Sequence, residues 1–234
     1  MMARTAPTPR WLFTCEHGGR GVPGEYAALF RGADATLASH RGWDPGALDV
    51  FNAIAPSLAD AAVAATMTRL LIDINRSLHH PRVFSEFTRP LPAELRADIV
   101  ARWWRPWREA VAGTIAAWLE SGHPVRHFSV HSFTPVLGGH IRNADLGLLY
   151  DPARAAEREF CLRWQALLQQ RGWRVRRNYP YQGAADGHTT ALRRRFPQGY
   201  AGIELELNQA LFPRLLAPLC CDLQDSLTEL RGHC

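Results

Sequence analysis

Five short apolar segments, separated by stretches with helical spacing, restrict the fold of this chain more than any other feature. They are rich in aliphatic and aromatic residues and mostly bounded by turn formers, which predicts strands at Trp11–Cys15, Leu70–Ile74, His127–Val130, Leu146–Tyr150 and Ala201–Leu205. Apolar residues recur at helical spacing in Ala47–Leu58, Pro92–Glu120 (with Pro106 as a point of interruption), Pro152–Arg171 and Leu219–Leu230. This alternation predicts an α/β fold of three layers, with a mostly parallel or mixed sheet and helices on both faces.

The 234 residues show no Ser/Gly-rich linker and no break in composition, so we expect a single domain over residues 1–234, with residues 1–9 flexible. No apolar segment approaches the ~20 residues of a membrane-spanning helix. The N-terminus lacks the apolar core of a secretory signal. We therefore expect a cytoplasmic protein that contacts no membrane.

Every basic side chain other than histidine is arginine, because the sequence contains no lysine. This excludes Schiff-base catalysis and the P-loop lysine. The formal net charge of +5 suits an anionic partner, either a small carboxylate or the phosphates of a nucleic acid. The arginine clusters in 171–177 and 193–195 keep an arginine-rich nucleic-acid-binding protein without enzymatic activity as the less favoured alternative.

Five cysteines at irregular positions include no CxxC pair. The spacing argues against a disulfide framework and against a thiolate zinc site. We expect these cysteines to be reduced.

Polar residues stand at or just after the ends of four of the apolar segments: Glu16–His17, Asn75–Arg76, His131–Ser132 and Glu206. In open α/β sheets, ligands bind outside the carboxyl ends of the strands. If the strands run mostly parallel, the four endings assemble one site from distant parts of the chain.

His17 and His131 are candidate metal ligands, because neutral imidazole is a common zinc donor. A catalytic zinc takes three protein ligands and a water, so a third ligand is required. The residues leave this ligand open among Asp44, Glu16, His40 and His188. The competing interpretations are a histidine hydrogen-bonded within the tight turn at His17 and a helix-capping role for Asp44.

Two further pairs carry chemistry. Asn75 and Arg76 are suited to holding a carboxylate, whereas a buried salt bridge between Asp73 and Arg76 explains the same residues equally well. Glu204 and Glu206 alternate with aliphatic residues and share one face of a strand. One of them is a candidate general base and the other a structural ion-pair partner.

Taken together, these motifs resemble the N-formylglutamate amidohydrolase family, which is similar to the zinc carboxypeptidases and aspartoacylase. The resemblance spans most of the chain, and its motifs occur in the family's order: 15–19 (CEHGG), 40–47 (HRGWDPGA), 73–76 (DINR), 131–135 (HSFTP), 146–151 (LGLLYD), 178–183 (NYPYQG) and 204–209 (ELELNQ). It implies a zinc-carboxypeptidase-like fold.

The resemblance also implies a zinc ion held by His17, Asp44 and His131. Relatives in the carboxypeptidase and aspartoacylase group carry a zinc-binding glutamate three residues after the first histidine, and here that position is Arg20. Either Asp44 replaces the missing acid or the metal site is altered.

The remaining roles also follow from the resemblance. Glu206 aligns with the catalytic carboxylate and Glu204 stands behind it. Asn75 and Arg76 match the pair that grips the substrate carboxylate, and Arg142 adds a second clamp. Arg76 or Arg142 stabilises the oxyanion, which makes Arg142 a candidate catalytic residue as well.

The implied reaction is zinc-dependent hydrolysis of the amide bond of an N-acyl acidic amino acid such as N-formylglutamate, with metal-activated water and Glu206 as general base. The expected partner is therefore a small anionic substrate derived from an amino acid. A metal-dependent hydrolase of another N-acyl amino acid or of a peptide is the alternative within the same class.

Overall fold

A computed structural model describes residues 7–232, so residues 1–6, His233 and Cys234 lie outside the described part, as does most of the segment expected to be flexible. The main sheet consists of the strands β1 (Arg10–Cys15), β2 (Ala61–Ala64), β3 (Val125–Phe133), β6 (Leu146–Leu149), β7 (Val175–Arg177) and β8 (Tyr200–Asn208). Their order across the sheet is β2-β1-β3-β8-β6-β7. A two-stranded hairpin consists of β4 (Val136–Leu137) and β5 (His140–Ile141).

The sheet is mixed and mostly parallel, as predicted. Strands β2, β1, β3 and β8 pair in parallel, β6 runs antiparallel to β8, and β7 is parallel to β6. In the register of β3 and β8, His131 lies beside Glu206 and Ser129 beside Glu204. The parallel arrangement brings the ends of distant segments to one edge.

Helices cover both faces, which confirms the three-layer expectation. They are α1 (Asp34–Ala38), α2 (Ala47–Leu58), α3 (Ala93–Ile99), α4 (Arg105–Glu120), α5 (Ala155–Gln170), α6 (His188–Arg195) and α7 (Leu216–Gly232). Residues of α2, α5 and α7 share the main core with Trp11, Phe13 and Phe128, whereas α4 and α6 pack with Leu12 and Val125 on the other face. Among residues 7–232, no helix has the length and apolar character needed to cross a bilayer.

Two strands extend beyond their apolar segments. Strands β3 and β8 continue through Phe133 and Asn208, so His131 and Glu206 lie inside strands and not at their ends. Because β1 stops at Cys15, its pairing with β3 ends at Ser129 and the last residues of β3 have no partner in β1. The polar residues in these strands are therefore held by regular hydrogen-bonded backbone.

The prediction of a strand at Leu70–Ile74 is wrong. This segment forms turns, with Leu71 N–H donating to Thr68 O and Asp73 N–H to Val83 O. Its aliphatic side chains are buried in a second apolar cluster with Phe30 and Ile99. A short apolar run reports burial, which a packed loop provides as well as a strand does.

The segment 92–120 is helical almost throughout. A π-helical turn, Val100–Trp104, joins α3 to α4, and Pro106 occupies the first turn of α4, where its missing N–H costs little. Strands β2 and β7 and helices α1 and α6 have no counterpart among the predicted elements, since they are short or strongly polar.

Candidate active site

His17, Asp44 and His131 form a buried cluster whose potential ligand atoms all lie within 4.8 Å of one another. The Nδ1 atoms of the two histidines are 3.3 Å apart, and Asp44 Oδ2 lies 2.9 Å from His131 Nδ1 and 3.5 Å from His17 Nδ1. Two imidazole nitrogens and one carboxylate oxygen are a donor set that zinc binds in catalytic sites.

The backbone after β1 brings His17 to Asp44. The chain turns at Gly19 against the 64–67 segment, where a Cβ atom on Gly19 would lie 2.2 Å from Thr66 O, so only glycine fits. The amide of Asp44 donates to His17 O at 2.9 Å. Helix α2 begins three residues later without a side-chain cap, so the Asp44 carboxylate faces the histidines and not the helix terminus.

Hydrogen bonds orient both imidazole rings. His17 Nε2 lies 2.7 Å from Asp73 Oδ1, and His131 Nε2 lies 2.9 Å from Ser129 Oγ, which donates to Glu16 Oε2 at 2.6 Å. With the proton of each neutral ring on Nε2, both Nδ1 lone pairs point into the cluster. Metal-binding histidines are typically held in this way by a carboxylate, directly or through a hydroxyl.

The electrostatics of the cluster favour a positive charge. Burial disfavours protonation of His131, but the hydrogen bond to Asp44 and the charges of Asp44, Glu16 and Glu206 outweigh it and raise the pKa of His131 to about 10. Burial raises the pKa of Asp44. The Arg69 guanidinium contacts His17 Nδ1 and lies 3.1 Å from Asp44 Oδ1. The Arg69 guanidinium thus shows that these donor atoms attract a positive charge. The donor set therefore fits a divalent metal ion.

Glu206 lies beside His131 and is almost fully buried. Within the described part of the chain, its Oε2 has no hydrogen-bond partner. Burial, reinforced by the charges of Asp44 and Glu204, raises the pKa of Glu206 to about 8 despite the opposing effect of His131. The carboxylate form of Glu206 is therefore a stronger base than that of an exposed glutamate.

A cavity of about 640 Å³ opens onto the cluster. Its lining contains all three cluster residues, Glu204, Glu206, Asn75 and Arg76, together with Arg69, Asp73, His80, Arg82, Tyr181 and Asp186. Asn75 Oδ1 accepts the backbone N–H of His188 at 2.8 Å, and Arg76 Nη1 donates to Asp186 O at 2.7 Å. The carboxylate of Asp73 binds His17, so it does not form the salt bridge with Arg76 that the sequence left open.

The other candidates lie outside the cluster. Arg142 is not among the residues that line the cavity, but its Nη1 donates to the hydroxyl of Tyr181, which is, at 3.1 Å. Glu16 is buried next to His131, and His188 Nδ1 lies 3.3 Å from its Oε1. Glu16 and His188 therefore contact each other on the far side of His131 and are not part of the cluster. His40 is exposed. Arg20 is exposed too, with its guanidinium 6.0 Å from the Trp43 ring centroid, so the acid of the cluster comes from Asp44.

Glu204 is half-buried and accepts a hydrogen bond from the Thr189 hydroxyl, in place of the expected ion pair. Sequence reasoning missed Arg69 entirely and did not connect Asp73 with His17. Asp73 carried a signal, because it opens the segment that contains Asn75 and Arg76. Arg69 carried none, since it precedes an apolar run as many exposed arginines do.

Comparisons with known proteins identify the family and the fold. The family model for N-formylglutamate amidohydrolase matches residues 9–212. A crystal structure of the gene product Atu2144 from Agrobacterium tumefaciens has 26% identity and a TM-score of 0.81, covering 96% of this chain and 91% of that one. The crystal structure of N-formylglutamate amidohydrolase from Ralstonia eutropha JMP134 has 18% identity and a TM-score of 0.71, with coverage of 98% and 95%. Among curated proteins, none matches. The chain belongs to the N-formylglutamate amidohydrolase family and is an amidohydrolase.

Proposed function

We propose that this protein is a single-domain cytoplasmic enzyme that hydrolyses the amide bond of an N-acyl acidic amino acid, with N-formylglutamate as substrate and zinc as the metal. The observation that carries the proposal is the cluster of His17, Asp44 and His131 beside the carboxyl of Glu206, whose Oε2 has no hydrogen-bond partner among residues 7–232. When bound by these three residues, zinc would polarise the scissile carbonyl and lower the pKa of water towards ~7.

Glu206 acts as the general base. It takes a proton from the attacking water and passes it to the departing amine, a role typically worth ~10²- to 10⁴-fold in rate. Its place on β8 next to His131 supports this role, because a regular strand holds the carboxyl group at one position relative to the cluster.

Arginine side chains recognise the anionic substrate. Asn75 and Arg76 hold the α-carboxylate. Arg142 contributes a second contact to the substrate from its position beside Tyr181. A smaller adjoining cavity of about 280 Å³ shares Arg69, Asp73, Arg76 and Arg82 with the main one and adds the guanidinium groups of Arg41 and Arg89. This charge pattern supports a substrate with a second carboxylate.

Arg69 stabilises the oxyanion of the tetrahedral intermediate. Its guanidinium lies against His17 and Asp44, closer to the cluster than Arg142, which contacts Tyr181 at the cavity edge. A preorganised cation at the developing charge is usually among the largest contributions to catalysis.

The decisive experiment measures zinc content and hydrolysis together. We expect purified protein to contain zinc and to release formate from N-formylglutamate, and the His17→Ala, His131→Ala double variant to lose both. His40→Ala, which changes an exposed histidine, is the matched control and keeps both. Negligible zinc in wild type and double variant alike refutes the metal site. Faster turnover of neutral N-acyl amino acids or peptides than of N-formylglutamate refutes the acidic substrate.

A further inference from the structure

Helix α4 binds the backbone of residues 74–76, the segment that carries the proposed substrate-binding residues Asn75 and Arg76. Arg108 Nε donates to Ile74 O at 3.1 Å, and its Nη2 donates to Asn75 O at 3.0 Å and to Arg76 O at 2.9 Å. One guanidinium therefore binds three consecutive carbonyl groups. Trp104 Nε1 adds a bond to Arg76 O at 2.9 Å.

The local helix geometry presents these two side chains together. Trp104 ends the π-helical turn and Arg108 lies one helical turn later on the same face. The guanidinium carbon of Arg108 is 4.5 Å from the Trp104 ring centroid, which places the cation over the indole. Single π-helical turns occur frequently at functional sites, where they re-aim side chains.

The segment needs such a partner because it is not part of the sheet. In a strand, the carbonyls of residues 74–76 would bond to a neighbouring strand, whereas here they belong to turns. The side chain of Asn75 has its own anchor, the N–H of His188 at the start of α6. Two helices thus fix the backbone and the amide of the same segment.

Arg108 itself is an unusual choice for a purely structural bond. It is half-buried, and burial lowers the pKa of its guanidinium to about 10, although the charges of Glu16, Asp186 and Asp73 oppose the shift. Its hydrogen-bond acceptors within residues 7–232 are neutral carbonyl groups. Removing a cation from water without a carboxylate partner costs stability, and this cost favours a functional role over a purely structural one.

We propose that Arg108, supported by Trp104, is a positioning residue that sets Asn75 and Arg76 at the geometry in which they bind the substrate carboxylate. The inference rests on the proposed function, since it concerns the same carboxylate subsite. Arg108 does not touch the substrate and acts through the backbone of residues 74–76.

The test compares Arg108→Met, Arg108→Lys and Trp104→Phe with Arg105→Met, which removes an exposed charge from the same helix. We expect Arg108→Met to raise KM for N-formylglutamate by about tenfold or more, with kcat changed less than threefold and zinc content unchanged. Arg108→Lys keeps the charge but not the planar fork, so KM rises by a similar factor. Trp104→Phe has a smaller effect in the same direction, and Arg105→Met behaves as wild type.

Hydrogen exchange of the peptide containing residues 74–76 and binding of glutamate supply readouts independent of turnover. We expect exchange to accelerate in this peptide in Arg108→Met and glutamate binding to weaken by the same factor as KM. An unchanged KM with a lower melting temperature overturns the positioning role. Full recovery of KM by lysine overturns it too, because a charge without the planar fork would then be sufficient. If the wild type does not hydrolyse N-formylglutamate, the proposed function fails. Hydrogen exchange and glutamate binding then test the positioning role by themselves: unchanged values overturn it, and the expected changes uphold it.

If Arg108→Met does not fold, the same measurements are made on Trp104→Phe and Arg108→Lys.

Discussion

Asp73 provides a direct test of how the candidate metal ligands are held, because it contacts His17 without belonging to the cluster. Its Oδ1 lies 2.7 Å from His17 Nε2 and accepts the Asn75 N–H at 3.0 Å, and its side chain is only 13% exposed. Asp73→Asn keeps an oxygen for both bonds and removes the charge, whereas Asp73→Ala removes the acceptor as well.

The expected loss follows from these contacts. Removing the partner behind a histidine ligand typically costs about 10- to 100-fold in metal affinity, which is roughly 1.4–2.7 kcal/mol. We expect Asp73→Asn near the lower end, because the ring proton still has an acceptor. We expect Asp73→Ala near the upper end, because the Nε2–H of His17, a side chain only 3% exposed, loses its acceptor.

Zinc affinity measured by competition with a chelating indicator at pH 7 separates the three proteins. Asp222→Asn is the matched control, since it removes the same charge and changes another acceptor, that of Trp173 Nε1 at 2.8 Å, in helix α7. Equal zinc affinities in wild type and both Asp73 variants would show that this carboxylate does not orient His17. An equal loss of zinc affinity in Asp222→Asn would show that the effect comes from the change in net charge alone.

Three further predictions concern catalysis and stability. Glu206→Gln should retain zinc while kcat falls by about 10²- to 10⁴-fold, and loss of zinc would identify Glu206 as a ligand. Asp145→Asn should cost about 1 kcal/mol in urea unfolding at pH 7 and much less at pH 2. Burial raises the pKa of Asp145, but the hydrogen bonds and charge of Arg174 outweigh it and lower this pKa below 3.8. The ionised carboxylate therefore stabilises the fold above that pH, and this stabilisation is lost as the pH falls through the pKa of the folded state. An equal cost of the substitution at both pH values would refute this assignment. Gly46→Ala should lower the melting temperature, because φ is +81° and the new Cβ would lie 2.4 Å from a phenylalanine ring; Gly113→Ala, with open space at its Cβ within α4, should not.

Much of the fold was predictable because strands and helices leave local periodic patterns. The segment Ala47–Leu58 is helical at both predicted bounds. The predicted strands Trp11–Cys15, His127–Val130 and Ala201–Leu205 lie inside β1, β3 and β8, and the predicted strand Leu146–Tyr150 exceeds β6 by one residue. The failure at Leu70–Ile74 has a physical cause, since burial in a packed loop selects the same aliphatic residues as burial in a sheet.

The candidate site divides in the same way. His17, His131 and Glu206 stand out in the sequence because polar residues interrupt or follow apolar runs, and the family resemblance singles out Asp44. The partners that orient them do not stand out. Asp73 lies 56 residues from His17, and Glu16 lies 115 residues from His131, so their contacts exist only after the strands have paired.

The sequence by itself therefore determined the class of fold, the candidate ligands and the cationic character of the substrate site, because these depend on residue type and local order. Only the tertiary structure decided that the acid of the cluster is Asp44, that Arg69 lies against it, and that Arg108 grips the segment carrying Asn75 and Arg76. Those outcomes depend on distances between residues far apart in the chain. Such distances are set by the register of β1, β3 and β8 and by the packing of α4, which no local pattern encodes.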